Sequence, residues 1–340
     1  MSWVTNVQRL LVPRLLSGVF MVFLVTVLVF VVLRMLPIDP VGSALPPGAT
    51  EAERQAVMQE FGLDRPVIEQ YARWANNLVH GRFGTSINLR TDVGPPLAAA
   101  LPATLELVIA ALVVGVALGV GGGLVLFAVR GTAWEPLGNV VTSILVSVPE
   151  FVWAIFGILL LGVWWGALPF IGRIDSGFVV HEITGFLLID TLLAGQWAAF
   201  HNALMHLVLP ATALGLAFAP MVTRILRSSL LTIILEDFIH FARLRGLGER
   251  EVLLRHALRN AALPTLSLIG VQAGFMFGGT LLVEAMFGWP GLGNLMVTAA
   301  RGGDMPMIQG AALIYCCGVL FINFAIDLTS LALNPRLRQS

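Results

Sequence analysis

His181-Glu182-Ile183-Thr184-Gly185 opens like the HExxH of zinc proteases, where two histidines one helical turn apart hold the metal and the glutamate acts as base. Glycine stands at 185, where the second ligand belongs, so that chemistry is excluded. All twenty basic residues are arginine, and none is lysine. Neither a phosphate-binding GxxxxGK[ST] loop nor a Schiff base can therefore be built from this chain, since both need a lysine amine. No GxSxG elbow occurs, no GxGxxG follows a strand, and a net charge of zero offers no footprint for nucleic acid. Cys316 and Cys317 are adjacent, without CxxC or Cys/His ligand spacing, and read as small apolar packing residues. No catalytic set, no bound cofactor and no metal site is expected.

The ionisable residues that remain in or near apolar stretches are Glu106, Glu150, His206, Glu284 and Asp327. An acid at the middle of a membrane helix costs about 2.5–3.5 kcal/mol, so each should face protein or water. Glu106, Glu284 and Asp327 fall near span ends, where solvation is cheap, and read as structural. Glu150, Pro149, Gly122 and Met276 are candidates for lining a pathway through the membrane. His201 and His206, with His181, could be argued as metal ligands, but five residues is poor facing on a helix, and a satisfied polar histidine is the ordinary reading.

One segment is polar where its surroundings are apolar: Glu236 to Pro264, EDFIHFARLRGLGEREVLLRHALRNAALP. Its length suits two short helices broken at Gly246 to Gly248. That is far more than a chain needs to turn around, so it reads as a docking surface. Seven arginines (Arg224, Arg227, Arg243, Arg245, Arg250, Arg255, Arg259) face four acids (Glu236, Asp237, Glu249, Glu251) on it or in the helix leading to it. That excess assigns it to the cytoplasm.

The elements that must carry these residues follow from composition. With 57% hydrophobic and 12% charged residues, the chain belongs in a bilayer. About 20 apolar residues cross the ~30 Å hydrocarbon layer, and six stretches qualify: roughly 13–35, 106–129, 138–168, 204–227, 265–287 and 309–333. An even count puts both termini on one side, and Arg9, Arg14, Arg336, Arg338 and the short loop at Arg130 assign that side to the cytoplasm. The first run is too long for a signal peptide and lacks a cleavage site, so it is retained. Region 37–103 reads as a folded extracytoplasmic cap: Thr50 and Glu53 form a capping box for a helix over 51–61 ended by Gly62, and Pro66 opens a second over 66–80, with Val67, Tyr71, Trp74 and Leu78 at helical spacing and Gly81 after it. The division is thus 1–103 for the first span and cap, 104–333 for the transmembrane domain with its loop 236–264, and 334–340 for a cytoplasmic tail. Gly115, Gly119, Gly121, Gly122 and Gly123 permit close helix approach or local unwinding. Pro149, Pro210 and Pro220 should interrupt the third and fourth spans. Segment 169–203 is too polar to cross and reads as an outer loop lying partly along the interface through Phe186, Leu187 and Trp197.

The docking segment resembles the cytoplasmic loop of permease subunits of binding-protein-dependent ABC importers, in the peptide/nickel branch. The matching residues are Ala242, Arg243, Arg245, Gly246, Leu247 and Glu249, then His256, Ala257, Leu258, Arg259, Asn260, Ala261 and Pro264. The general importer motif, EAA then three residues and Gly, is half kept, with His240 and Phe241 standing for Glu and Ala. LPIDPV at 36–41, FGLDRPVIEQYARW at 61–74, GRFGTSI at 81–87, LPATLEL at 101–107, LVLPATAL at 207–214, EAMFGWPGLGNL at 284–295 and DLTSLALNPRLR at 327–338 also look like that branch.

The resemblance implies an all-α membrane protein of six transmembrane helices, a type I ABC importer permease fold, in a bacterial inner membrane. It implies that the coupling loop, including Arg255, seats in a cleft of a cytoplasmic ATPase and that Pro264 ends the loop where the fifth span starts. Implied partners are a second homologous permease, two ATP-binding subunits holding ATP and Mg, an extracytoplasmic substrate-binding protein and membrane lipid. Peptides are the implied substrate; nickel chelates, glutathione and opines stay open. An ion-coupled secondary transporter is the alternative class, and it would need a relay of intramembrane acids where Glu150 stands alone.

Overall fold

The computed structural model describes residues 2–35, 41–42, 45, 48–60 and 62–333, and all of its regular elements are helical. Helix α1 spans Ser2–Met35, and α2 (Glu51–Glu60) and α3 (Val67–Val79) form the cap. Then come α4 (Gly94–Ala128), α5 (Trp134–Ser147), α6 (Glu150–Gly157, continued by wider π-type turns to Trp164), α7 (Leu187–Leu193) and α8 (Trp197–Ile233). Helix α9 is Asp237–Leu244, α10 Glu249–Phe287, α11 Leu292–Arg301 and α12 Met305–Leu333. Five helices are long and apolar enough to cross a membrane, and six spans result if α5 and α6 count as one. The division at 103/104 falls inside α4, so cap and transmembrane domain share a helix.

Helices α4 and α8 pack along most of their length because glycine lets them. Gly115, Gly119 and Gly123 repeat every four residues and are buried on the shared face. A Cβ on Gly119 would fall 2.5 Å from Val222 Cβ, and one on Gly215 3.0 Å from the Gly115 nitrogen. Close packing is therefore the role of these three, as small residues allow in membranes; Gly121 meets only open space. Around this pair a core of Leu107, Leu214, Phe218, Met276, Val283, Phe287 and Trp289 joins α10.

The structure departs from expectation at two of the three prolines. Pro210 and Pro220 do not interrupt α8, which is continuous and buries both rings. Pro149 does interrupt the third span, as expected, turning α6 by 98° from α5. Proline disfavours the helical region for the residue before it, and Val148 is extended at φ −95°, ψ 118°, as is Pro149 itself at ψ 154°. Residues 197–203, expected in the outer loop, form the first turns of α8.

In the cap, the capping box forms: Thr50 N–H donates to Glu53 Oε2 (2.7 Å) and Glu53 N–H to Thr50 Oγ1 (3.3 Å). Gly62 and Gly81 close their helices at φ +63° and +75°. Tyr71 and Trp74 pack on Phe30 of α1 with ring centroids 5.3 and 5.9 Å apart. LPIDPV lies outside the described residues but for Val41, as does the tail 334–340.

Glu106 and Glu284 are structural, but solvation is not the reason: both are buried. Glu106 pairs with Arg173 and accepts Leu188 N–H at 2.8 Å. Glu284 Oε2 accepts Gly293 N–H (2.7 Å) and Asn294 N–H (3.2 Å) at the start of α11. Asp327 lies in α12, and its side chain is outside the described set. His206 is satisfied, with Nδ1 2.9 Å from Asn202 O and Nε2 3.4 Å from Asp175.

Asp190 organises the segment before α8 by accepting from Ile183 N–H, Thr184 N–H and hydroxyl, and Gly185 N–H at 2.6–3.2 Å. Burial pushes its carboxyl up, and the four hydrogen bonds outweigh that, so its pKa lies below the usual carboxylate range. A depressed folded pKa stabilises fully above the unfolded value, roughly 4, and that stabilisation fades as pH falls through the lower folded value. We expect amide exchange at 183–185 to speed up across that acidic window in the wild type, and already at neutral pH in Asp190→Ala. Unchanged protection in the variant would remove Asp190 as the organiser.

Candidate functional site

Helix α9 starts after an extended Glu236 (ψ 146°), with Asp237 in its first turn and Arg243 in its last, the charge order that suits a helix dipole. Its inner face buries Ile239 and Ala242 against Phe127, Leu226, Leu230, Val252, Ala257 and Ala261. Its outer face carries Phe238, Phe241 and Leu244 at intervals of three, with Leu235 just before; they are 42, 65, 70 and 83% exposed. Three large apolar side chains thus project from a short helix that belongs to no span, with a fourth on the turn before it.

The turn after α9 is pinned. Gly246 sits at φ +80° and donates its N–H to Arg243 O at 2.9 Å. Arg243 grips Glu249 across the turn with Nε to Oε1 at 2.7 Å and Nη2 to Oε2 at 3.1 Å. That contact holds the Glu249 carboxyl below its ordinary pKa and raises the Arg243 guanidinium. A Cβ on Gly246 would meet nothing within 4 Å, so glycine is required there by conformation and not by space. Gly246→Ala should cost about 1–2 kcal/mol in the turn, and Gly246→Asn less, since asparagine tolerates the left-handed region. Amide exchange of 244–249 reads this, and equal exchange in both variants would contradict it.

The rest of the segment differs from expectation. Its second half is no loop, because Glu249 to Phe287 is one helix, loosened by π-type turns over Val252–Ala257. Pro264 therefore lies inside α10 and does not break the helix. Asn260 Nδ2 donates back to His256 O at 2.8 Å, and Arg255 pairs with Glu251 at 3.0 Å. Arg245, Arg250 and Arg259 are exposed, Leu247 is half-buried and Ala242 is a packing residue. Two of the seven arginines are struts: Arg227 pairs with Glu135, and Arg224 donates to Ser143 Oγ at 3.0 Å.

Of the pathway candidates, Glu150 follows Pro149 at the start of α6 beside α10, Gly122 faces Thr223 in an apolar slot of about 530 Å3 between α4, α5 and α8, and Met276 is buried in the core. The apolar outer face of α9 was missed, although its signal stood in the sequence: Leu235, Phe238, Phe241 and Leu244 recur every three residues through a charged segment.

A bundle of five or six spans, with one amphipathic helix held out at a turn between two of them, defines a multi-pass membrane transport subunit. The model of the binding-protein-dependent transport system inner membrane component matches residues 111–339, and that of its N-terminal region residues 7–107. The chain belongs to this family. It is 34% identical over 339 residues to a di/tripeptide transport system permease protein of Pseudomonas aeruginosa, covering 99% of each chain. It is 35% identical to a dipeptide transport system permease protein of Escherichia coli, with 92% and 94% covered, and 32% identical to a glutathione transport system permease protein of Shigella flexneri, with 96% and 98% covered. Two inward-facing structures of the MetNI methionine ABC transporter share the fold, with TM-scores of 0.50 and 0.53 at 17% identity, over 68% and 70% of this chain and 93% and 96% of theirs. The fold is that of a type I ABC importer permease.

Proposed function

We propose that this chain forms half of the translocation pathway of a peptide importer, paired with a second permease, fed by an extracytoplasmic binding protein and driven by ATP that two partner subunits hold with Mg and hydrolyse. The observation that carries the reading is the exposed apolar face of α9. Exposed aromatics on a rigid helix are what a partner pocket takes up as anchors. Ile239 and Ala242 fix that helix on the inner ends of α4, α8 and α10, so closure of the docked ATPases moves spans and not a loose loop. ATP binding then supplies the free energy that shifts the pair between outward- and inward-open states. In this arrangement both termini and α9 are cytoplasmic, and the cap is outside.

The peptide assignment is drawn from the di/tripeptide and dipeptide relatives. Its test is uptake of labelled dipeptide by proteoliposomes holding the complete system. ATP-dependent accumulation of dipeptide is expected; accumulation of glutathione alone would favour the other relative's substrate.

A further inference from the structure

Glu150 is the acid that the packing leaves open. Glu106 is closed off by Arg173 and Leu188 N–H, Glu284 is wholly buried with its Oε2 on two backbone N–H groups, and Glu135 pairs with Arg227. Glu150 has no hydrogen bond and no ion pair among the described residues, yet it lies within the broken third span and is only partly buried. The 98° turn at Pro149 delivers it to the start of α6, and its Oε1 lies 3.5 Å from where a Cβ of Gly279 would be. Gly278 opens on empty space, and Gln272 and the 71% exposed Phe275 share that side of α10. One turn along α6, the buried Trp153 Nε1 has no partner.

A carboxylate inside a membrane span must find a countercharge or water, and glycines beside it leave room for something to approach. Broken helices are also where transporters place the groups that meet their solutes. We propose that Glu150 is a recognition point for an ammonium group of the passing solute, such as the N-terminus or lysine side chain of a peptide. This rests on the peptide-importer reading and adds a selectivity that the binding protein does not supply. The acidic oxygen accepts from the ammonium as the solute passes the α6 break, and the glycine pair leaves the approach open.

The test uses the complete reconstituted transporter and dipeptides of net charge +1, 0 and −1, each at a concentration that saturates the binding protein. The wild type should import the cationic dipeptide about tenfold faster than the anionic one, the scale of one charge-assisted hydrogen bond. Glu150→Gln should bring the ratio to within about twofold and Glu150→Asp should keep it, both with undiminished ATP hydrolysis. A helix-capping role would lower thermal stability and leave the charge ratio alone. Glu150→Ser serves the same comparison if the glutamine variant fails to assemble. An unchanged ratio in the neutral variants, with wild-type uptake intact, overturns the assignment of Glu150 alone. A wild-type complex that imports no dipeptide overturns the peptide reading, and this inference with it.

Discussion

Replacing Phe238 and Phe241 together by aspartate is expected to leave the permease inserted and folded and to abolish ATP-driven import. Neither ring belongs to the buried cluster beneath α9, Phe238 being 42% and Phe241 65% exposed, and Ile239 and Ala242 still hold the helix in place. An aromatic anchor is worth about 2 kcal/mol or more at an interface, so losing two weakens docking of the ATPase by roughly a thousandfold or more. Co-purification of the ATPase and substrate-stimulated hydrolysis should both disappear, while Phe238→Leu with Phe241→Leu should retain much of each. Import at the wild-type rate by the double aspartate variant would show that the partner seats elsewhere.

Glu106→Ala should be among the most destabilising single changes in the chain. It strips Arg173, which reaches from the segment before α7 to α4 with its side chain 12% exposed, of its countercharge, and leaves Leu188 N–H without an acceptor. An unpaired buried charge costs about 3–5 kcal/mol, whereas replacing both partners by apolar groups is often near neutral. The thermal midpoint in detergent should drop sharply for Glu106→Ala and recover in Glu106→Leu/Arg173→Met. Equal midpoints for the wild type and the single variant would mean that the pair carries no net stability. Trp289 adds to the same junction, its ring 5.6 Å from the Arg173 guanidinium and its Nε1 donating to Ala103 O at 2.9 Å.

Much of this was legible in the residues, and where it was not the physics is specific. Span number followed from apolar length, which a bilayer enforces, and the cap helices followed from Thr50, Glu53, Gly62 and Gly81, whose signals are local. Proline was a sound signal at Pro149 and a misleading one at Pro210 and Pro220. Pro210, Pro220 and Pro264 each forgo one hydrogen bond within a long packed helix that survives the loss, while Pro149 ends one because Val148 turns extended before it. Local sequence does not distinguish the cases, since neighbouring helices decide. The docking segment stood out by charge, and charge hid the apolar stripe between the arginines. Arg243 and Glu249, two of the motif residues of that segment, grip each other across the turn.

Accessibility of position 241 joins the topology and the docking in one experiment. With Cys316 and Cys317 replaced and Phe241→Cys introduced, a membrane-impermeant thiol reagent is applied from each side to the permease pair alone and to the pair with its ATPases. Labelling is expected from the cytoplasmic side only, rapid in the pair alone and suppressed in the full complex. Labelling from the outside, or equal labelling with and without the ATPases, would contradict the assignment of α9 as the surface through which ATP drives this permease.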